Sequence, residues 1–443
     1  MRENCTYGSV RGSRQAFHAN ITLKGVSRLS TRLIFVEYIK RDIDSLIIEA
    51  SKSYSAVIIT GPRQVGKTTT LRMLLGEGRG FVSLDDKENR KLAQTDPELF
   101  LSIHHAPVII DEVQYAPELF SYIKMEIDNG APPGSYLMTG SQMYRLMKLA
   151  GESLAGRAAI LRISGLSQHE IFGNGACLPF SVDLDSLKKR AANGKPTNVL
   201  EQYERIWKGS LPAHISGKHA KRDLFYNSYI DSYIDRDIRD MVDLKDEYLF
   251  RDFVRAAACR TGEMLNTHAI GADVGVSDET AKMWLGYMEK SGVIFYLRPF
   301  SNNLLSRTIK KTPKLYFFDT GLVAHLTKYS SPEILMNGAI NGAILENYVV
   351  SEIIKTYTNN GLEYYAHYYR DVDSKEVDMV LESDGMLHPI EIKKTSSPPT
   401  ELTSTFRVLD KASIPRGPGA VICMKQELSA LDKGTMIIPT WCI

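Results

Sequence analysis

Two apolar periods alternate along the first half of the chain. Short continuous apolar runs occur at Ala56-Val-Ile-Ile-Thr60, Phe81-Val-Ser-Leu84, Val108-Ile-Ile110, Ser135-Tyr-Leu-Met138 and Ala158-Ala-Ile-Leu-Arg-Ile163, with helix-length segments between them, including Lys87 to His105. A strand covered on both faces shows no polar alternation, so these runs predict a mostly parallel sheet between two layers of helices. Phe35 to Ala50 has helical spacing ahead of the first run, and Thr68 to Leu75 predicts the helix after it. From Gly173 to Thr197 the chain is rich in Gly, Pro, Ser and Asp, which predicts a linker or surface excursion.

Helical patterning returns at Leu224 to Met241, and a compact helical module begins near Asp246. Leu265 to Val274 predicts one helix and Gly275 the turn after it. Ser277 is the expected N-cap of a second helix, with Ala281, Trp284, Leu285 and Met288 on one face. That order is a helix-turn-helix, and strands at Val293 to Phe300 and Lys314 to Phe318 are the expected wing. The last pattern, from about Pro332, predicts a helix at Ala343 to Thr356 and strands at Tyr364 to Tyr369, Glu376 to Leu381, Pro389 to Lys393 and Ala420 to Met424. A small mixed α/β domain fits it.

Composition narrows the class. Of the 443 residues 43% are hydrophobic and 24% charged, the proportions of a soluble globular protein, and no run reaches the roughly 18 apolar residues of a membrane span. No membrane partner is expected. The five cysteines are scattered without CxxC or zinc spacing, so a cytoplasmic location is the expectation. A net charge of +2 argues neither for nor against nucleic acid, which leaves the question to local features. Residues 1–35 hold six Arg or Lys against the single acid Glu3. They exclude a secretory signal, faintly resemble a transit peptide, and read most simply as a disordered or misassigned start.

The chemistry begins at Gly61-Pro62-Arg63-Gln64-Val65-Gly66-Lys67-Thr68, followed by Thr69, between a predicted strand and a predicted helix. It fits the phosphate-binding P-loop at every required position. Glycines let backbone N–H groups curl around phosphates, Lys67 places a cation on them, and Thr68 offers its hydroxyl to Mg2+. ATP and Mg2+ are therefore the expected cofactors. Downstream, Val108-Ile-Ile-Asp111-Glu112 is an apolar strand ending in two acids. Asp111 is expected to hold Mg2+ through water and Glu112 to polarise the attacking water. The strand end Leu137-Met-Thr139-Gly140-Ser141-Gln142 puts polar side chains where a γ-phosphate or that water can be sensed, or is an ordinary turn.

These motifs, with Ser153-Leu-Ala-Gly-Arg157, Arg236-Asp-Ile238, Tyr316-Phe-Phe-Asp-Thr-Gly321 and Glu376-Val-Asp378, resemble those of AAA-type ATPases with a C-terminal domain of the DUF4143 group. The resemblance runs from about Phe35 to the C-terminus. It implies that Ser141 or Gln142 is the polar sensor, and that Arg157 is either an arginine finger, in cis or in a neighbouring subunit of a homo-oligomer, or a structural residue. The organisation expected is a basic tail at 1–34, an AAA-type P-loop α/β domain at 35–220, a helical and winged-helix domain at 221–330, and a small restriction-endonuclease-like α/β domain at 331–443.

A winged helix can lay its second helix in a DNA groove, but between Ser277 and Lys290 only Lys282 and Lys290 are basic, against three acids. Arg298, Arg307, Lys310, Lys311 and Lys314 of the wing are a candidate phosphate grip; a scaffold joining two domains is the competing reading. The C-terminal region carries Glu346 on a helix, Asp378, and then Glu391-Ile-Lys393, where strand alternation puts Glu391 and Lys393 on one face. Asp378 and Glu391 are expected metal ligands and Lys393 a partner of the attacking hydroxide. The set resembles the PD-(D/E)xK nuclease-like superfamily. Two functions follow: an ATPase that drives these modules on nucleic acid, or a nucleotide-switched DNA- or protein-binding regulator with an inactive C-terminal domain.

Overall fold

The computed structural model describes residues 38–443 except 176, 218–220, 235–237, 239–246, 301–311 and 372–374, with backbone only at 144 and 145. The expected 1–34 tail, Arg236, Arg307, Lys310 and Lys311 lie outside the described residues. The predicted runs form five strands, β1 (Ala56–Thr60), β2 (Gly80–Ser83), β3 (Val108–Asp111), β4 (Tyr136–Gly140) and β5 (Ala158–Arg162). All pair in parallel in the order β2-β3-β4-β1-β5. Because β4 lies between β1 and β3, the loops after all three strands meet at one edge. The carboxyl ends of parallel strands are where an α/β sheet binds its ligand.

Alternation along these buried strands divides the core. Ala56, Ile58, Val108, Ile110 and Met138 face a layer that includes Phe100, Phe120 and Ile123. Val57, Ile59, Ile109 and Leu137 face the other way, into a core that continues through Phe225 and Trp284 to Val349 and Ile390. The described residues thus share one unit, Glu37–Ile443. The segment expected as one helical stretch, Lys87 to His105, is two helices, Lys87–Thr95 and Pro97–Ile103. Asp96 accepts from Leu99 N, and Pro97, which has no N–H to donate, starts the second.

The expected linker at Gly173 to Thr197 holds a helix, Leu184–Asn193, capped by Asp183 and anchored by buried Leu187 and Arg190. The helix Asp278–Lys290 follows the predicted cap, Ser277, while the helix before it begins at Thr267, two residues later than expected, because Asn266 caps it by accepting from Ala269 N; Gly275 lies between them. Strands β6 (Ile294–Pro299) and β7 (Lys314–Phe317) are antiparallel, as a wing requires. Yet Arg298 and Pro299 of β6 also pair in parallel with β8 (Ala366–Arg370). The pair is thereby the edge of an eight-stranded sheet completed by β9 (Glu376–Ser383), β10 (Met386–Lys393), β11 (Gly419–Cys423), β12 (Ser429–Asp432) and β13 (Thr435–Pro439). The long helix Asn341–Thr358 ties this sheet to the first: Lys355 Nζ donates to Leu166 O at 3.0 Å, and Glu352 accepts from Gln168 N at 2.7 Å.

Candidate functional site

The loop after β1 turns into the helix Lys67–Leu75 through Gly66, whose φ of 93° and ψ of 18° lie in the left-handed region that favours glycine. Lys67, 6% exposed, is held over the loop by the carbonyls of Gly61 and Pro62, at 2.9 and 2.8 Å. Thr68 donates its hydroxyl to Asp111 Oδ1 at 2.5 Å, so residues 43 positions apart meet at one point. Asp111 also accepts from Ser83 at 3.2 Å and from Thr139. An open cleft of about 490 Å3 is lined by Arg63, Gln64, Gly66, Lys67, Thr68, Thr69, Glu112 and Ser141.

Glu112 follows Asp111 with φ 56° and ψ 44°, so that its side chain leaves the strand in a different direction from that of its neighbour. Its Oε2 accepts from Gln114 Nε2 at 2.6 Å and from Ser141 N and Oγ at 3.1 and 3.2 Å. Burial by itself raises this carboxyl, but Lys67, the Gln114 amide, the Ser141 N–H and Arg63 together hold it below its ordinary value. It is therefore ionised at neutral pH, as a group that accepts a proton must be. Gln142 is buried next to Ser141 but does not line the cleft. Arg157 lies outside the cleft, half-buried, with Nε 2.6 Å from Asp128 Oδ1.

Three supporting residues were given no role by the sequence. Arg41 is buried behind the loop, where it donates to Val65 O at 3.0 Å and to Ser164 O at 2.8 Å and pairs with Glu170 at 3.0 Å. Ser83 braces Asp111 from β2, and Gln114 braces Glu112. Of the three only Gln114 lies within a motif, as the last residue of Ile110-Asp-Glu-Val-Gln114, two residues beyond the acid it holds.

The C-terminal acids also converge. Asp378 on β9 accepts from Ile392 N at 2.8 Å, and Lys393 Nζ bridges it, at 3.1 Å, to Glu391 on the same strand as itself, at 2.7 Å. Glu346 instead meets Lys314 at 2.8 Å and the Tyr316 hydroxyl at 2.5 Å, and Lys314 reaches Glu376 at 2.5 Å. Burial and the charge of Asp378 push Glu391 up to about 8 and Glu346 up to about 7. Burial alone would lower Lys314 and Lys393, but the acids outweigh it and raise both. Lys314, expected in the wing's phosphate grip, is 3% exposed and committed to this cluster, which removes it from a surface that binds nucleic acid. Among the described residues no group of three or more His, Cys, Asp or Glu is placed to hold a metal ion. Any metal here rests on Asp378 and Glu391 alone. On the helix Asp278–Lys290, Lys282 pairs with Asp278 at 2.6 Å, while Arg298 of β6 is exposed.

Against known families, an AAA domain matches residues 53–172, a domain of unknown function (DUF8612) matches 200–333, and a further domain of unknown function (DUF4143) matches 341–443. Two proteins described as uncharacterized, Rv2008c of Mycobacterium tuberculosis and Mb2031c of Mycobacterium bovis, are each 27% identical over 364 residues, which is 81% of this chain and 75% of theirs. Among solved structures, a Walker-type ATPase of Pyrococcus abyssi is similar over 64% of this chain and 94% of its own, with 14% identity and a TM-score of 0.42. RuvB of Thermotoga maritima is similar over 57% and 86%, with 18% identity and a TM-score of 0.29. No helix among the described residues is long and apolar enough to cross a membrane.

Proposed function

We propose that this chain, an AAA-type P-loop ATPase of the group that joins an AAA domain to a DUF4143 domain, binds ATP with Mg2+ on the loop Gly61–Thr69 and hydrolyses it. The observation that carries this reading is the 2.5 Å contact between Thr68 and Asp111, with Lys67 and Glu112 on the same cleft. A hydroxyl and a carboxylate in contact are a donor set suited to Mg2+ and its waters. ATP with Mg2+ supplies the phosphoryl group and a charge that neutralises it. Lys67, released from two carbonyls, offers its cation to the phosphates, and Thr68 and Asp111 orient the metal. Glu112 is the residue that accepts a proton from the attacking water, and Ser141 faces the same cleft as sensor. Gln142, the alternative sensor, is buried and does not line the cleft, which favours Ser141. The exposed ion pair of Arg157 with Asp128 favours a structural role over an arginine finger.

Equilibrium titration with a nucleotide tests the binding half. Lys67→Ala is expected to weaken ATP by about a hundredfold or more, a loss typical of a charged group on phosphate. Wild-type affinity in that variant would remove the P-loop from the account.

Action on nucleic acid is the finer part of the proposal. It is supported by the convergence of Asp378, Glu391 and Lys393, where the two acids are the ligands for Mg2+ and the lysine the partner of the hydroxide. The ion pairs that Lys393 and Lys314 make with these acids favour a second reading, a nucleotide-switched regulator whose C-terminal domain recognises DNA or protein without cleaving it. Cleavage of DNA with Mn2+ or Mg2+ by the wild type, abolished in Asp378→Ala, selects the first; equal inertness of both proteins selects the second.

A further inference from the structure

We infer that Gln114 is a positioning residue of the ATPase site, fixing the Glu112 carboxylate in the orientation that water activation needs; the inference rests on the hydrolytic reading above. Strand β3 ends at Asp111, and the left-handed backbone at Glu112 turns the chain into a single tight turn, Val113–Tyr115. That turn carries Gln114 back under the acid, fully buried. Its Nε2 and both donors of Ser141 reach the same oxygen, Oε2. No other hydrogen bond to this carboxylate occurs among the described residues. One oxygen is thus pinned by three donors while the carboxylate still lines the cleft, which leaves Oε1 as the atom available to a water. A base held this way gains from orientation, and small misplacements of a catalytic group are costly.

Two further observations point to Gln114 as the element built for this task. The first is Gly140 at the end of β4: a Cβ there would fall 2.3 Å from Gln114 Oε1 and 2.2 Å from Leu146 Cδ1, so the glycine is what admits the amide. The second is that Gln114 Oε1 is buried with no hydrogen-bond partner. A buried amide with an unsatisfied oxygen is a poor choice for stability, and an apolar side chain of the same length fills the space at no such cost. What the amide offers and the apolar chain lacks is the donor to Glu112.

The contrast sets the experiment, run on the full chain with ATP, measuring kcat, KM and melting temperature. Gln114→Met keeps the volume and removes the donor. It is expected to melt within a few degrees of the wild type, to keep KM within about threefold, and to lose about tenfold to a hundredfold in kcat. Gln114→Glu, isosteric and like-charged with Glu112, is expected to lose at least as much. A merely structural Gln114 predicts instead a lower melting temperature with kcat unchanged. Turnover by Gln114→Met within threefold of an active wild type overturns the inference and leaves the hydrolytic reading standing. A wild type that binds ATP without turning it over overturns both.

Discussion

At Lys314, strand β7 carries an ammonium group into a site where Glu346 and Glu376 lie 2.8 and 2.5 Å away. In the sequence the same residue closes a basic run with Arg307, Lys310 and Lys311, and reads as a phosphate grip because burial leaves no trace in charge alone. Lys314→Met leaves Glu376 with Arg370, at 3.3 Å, but takes the cation from the more buried Glu346, so the expected loss is about 3 kcal/mol, read as a lower urea midpoint. His169 makes a separate prediction. Its hydrogen bond to Asp42, at 2.6 Å, raises it above its ordinary 6.5, and the charge of Asp42 adds to this against the pull of burial. A raised histidine stabilises the fold fully below its unfolded value, and that contribution is lost as pH rises through the folded value. Stability should therefore fall from roughly pH 6 upward through the shifted value, and His169→Gln should flatten that slope.

Elements were legible where local chemistry decides them. The five apolar runs, the cap at Ser277, and the P-loop between strand and helix all formed as read, because periodicity and capping are local. Three features were not. The helix Leu184–Asn193 sits in a stretch whose Gly and Pro content suggests a loop, and its cap, Asp183, accepts from Asp185 N and Ser186 N. Asp183→Ala should cost about 1 kcal/mol in a denaturation curve. Strand β12 escaped because it is short and half exposed, a weak apolar signal, and β13, though buried, is a run of only five residues ending in Pro439. The hairpin joining β9 to β10 is absent from the sequence reading although Asp384-Gly385, both with positive φ, 52° and 70°, carries the chemistry of a tight two-residue turn.

Across the whole molecule, what the sequence cannot display is continuity. Helix-turn-helix, wing and C-terminal domain read as successive modules, but β6 pairs with β8, and one face of the P-loop sheet shares its core with Trp284 and Ile390. Pairings between residues about 70 apart are a product of tertiary packing, for which a single sequence carries no period. The site was more legible than the architecture: Lys67, Thr68, Asp111 and Glu112 meet as their motifs imply, and Gln114 closes the motif Ile110-Asp-Glu-Val-Gln114, while the other supports, Arg41 and Ser83, come from outside those motifs. That arrangement makes hydrolysis the central claim. The most direct measurement is phosphate release from ATP by the wild type and by Glu112→Gln, alongside the ATP affinity of each. Turnover by the wild type, with unchanged affinity and a loss of about a hundredfold or more in the variant, is the predicted result. Equal rates in the two proteins would contradict it.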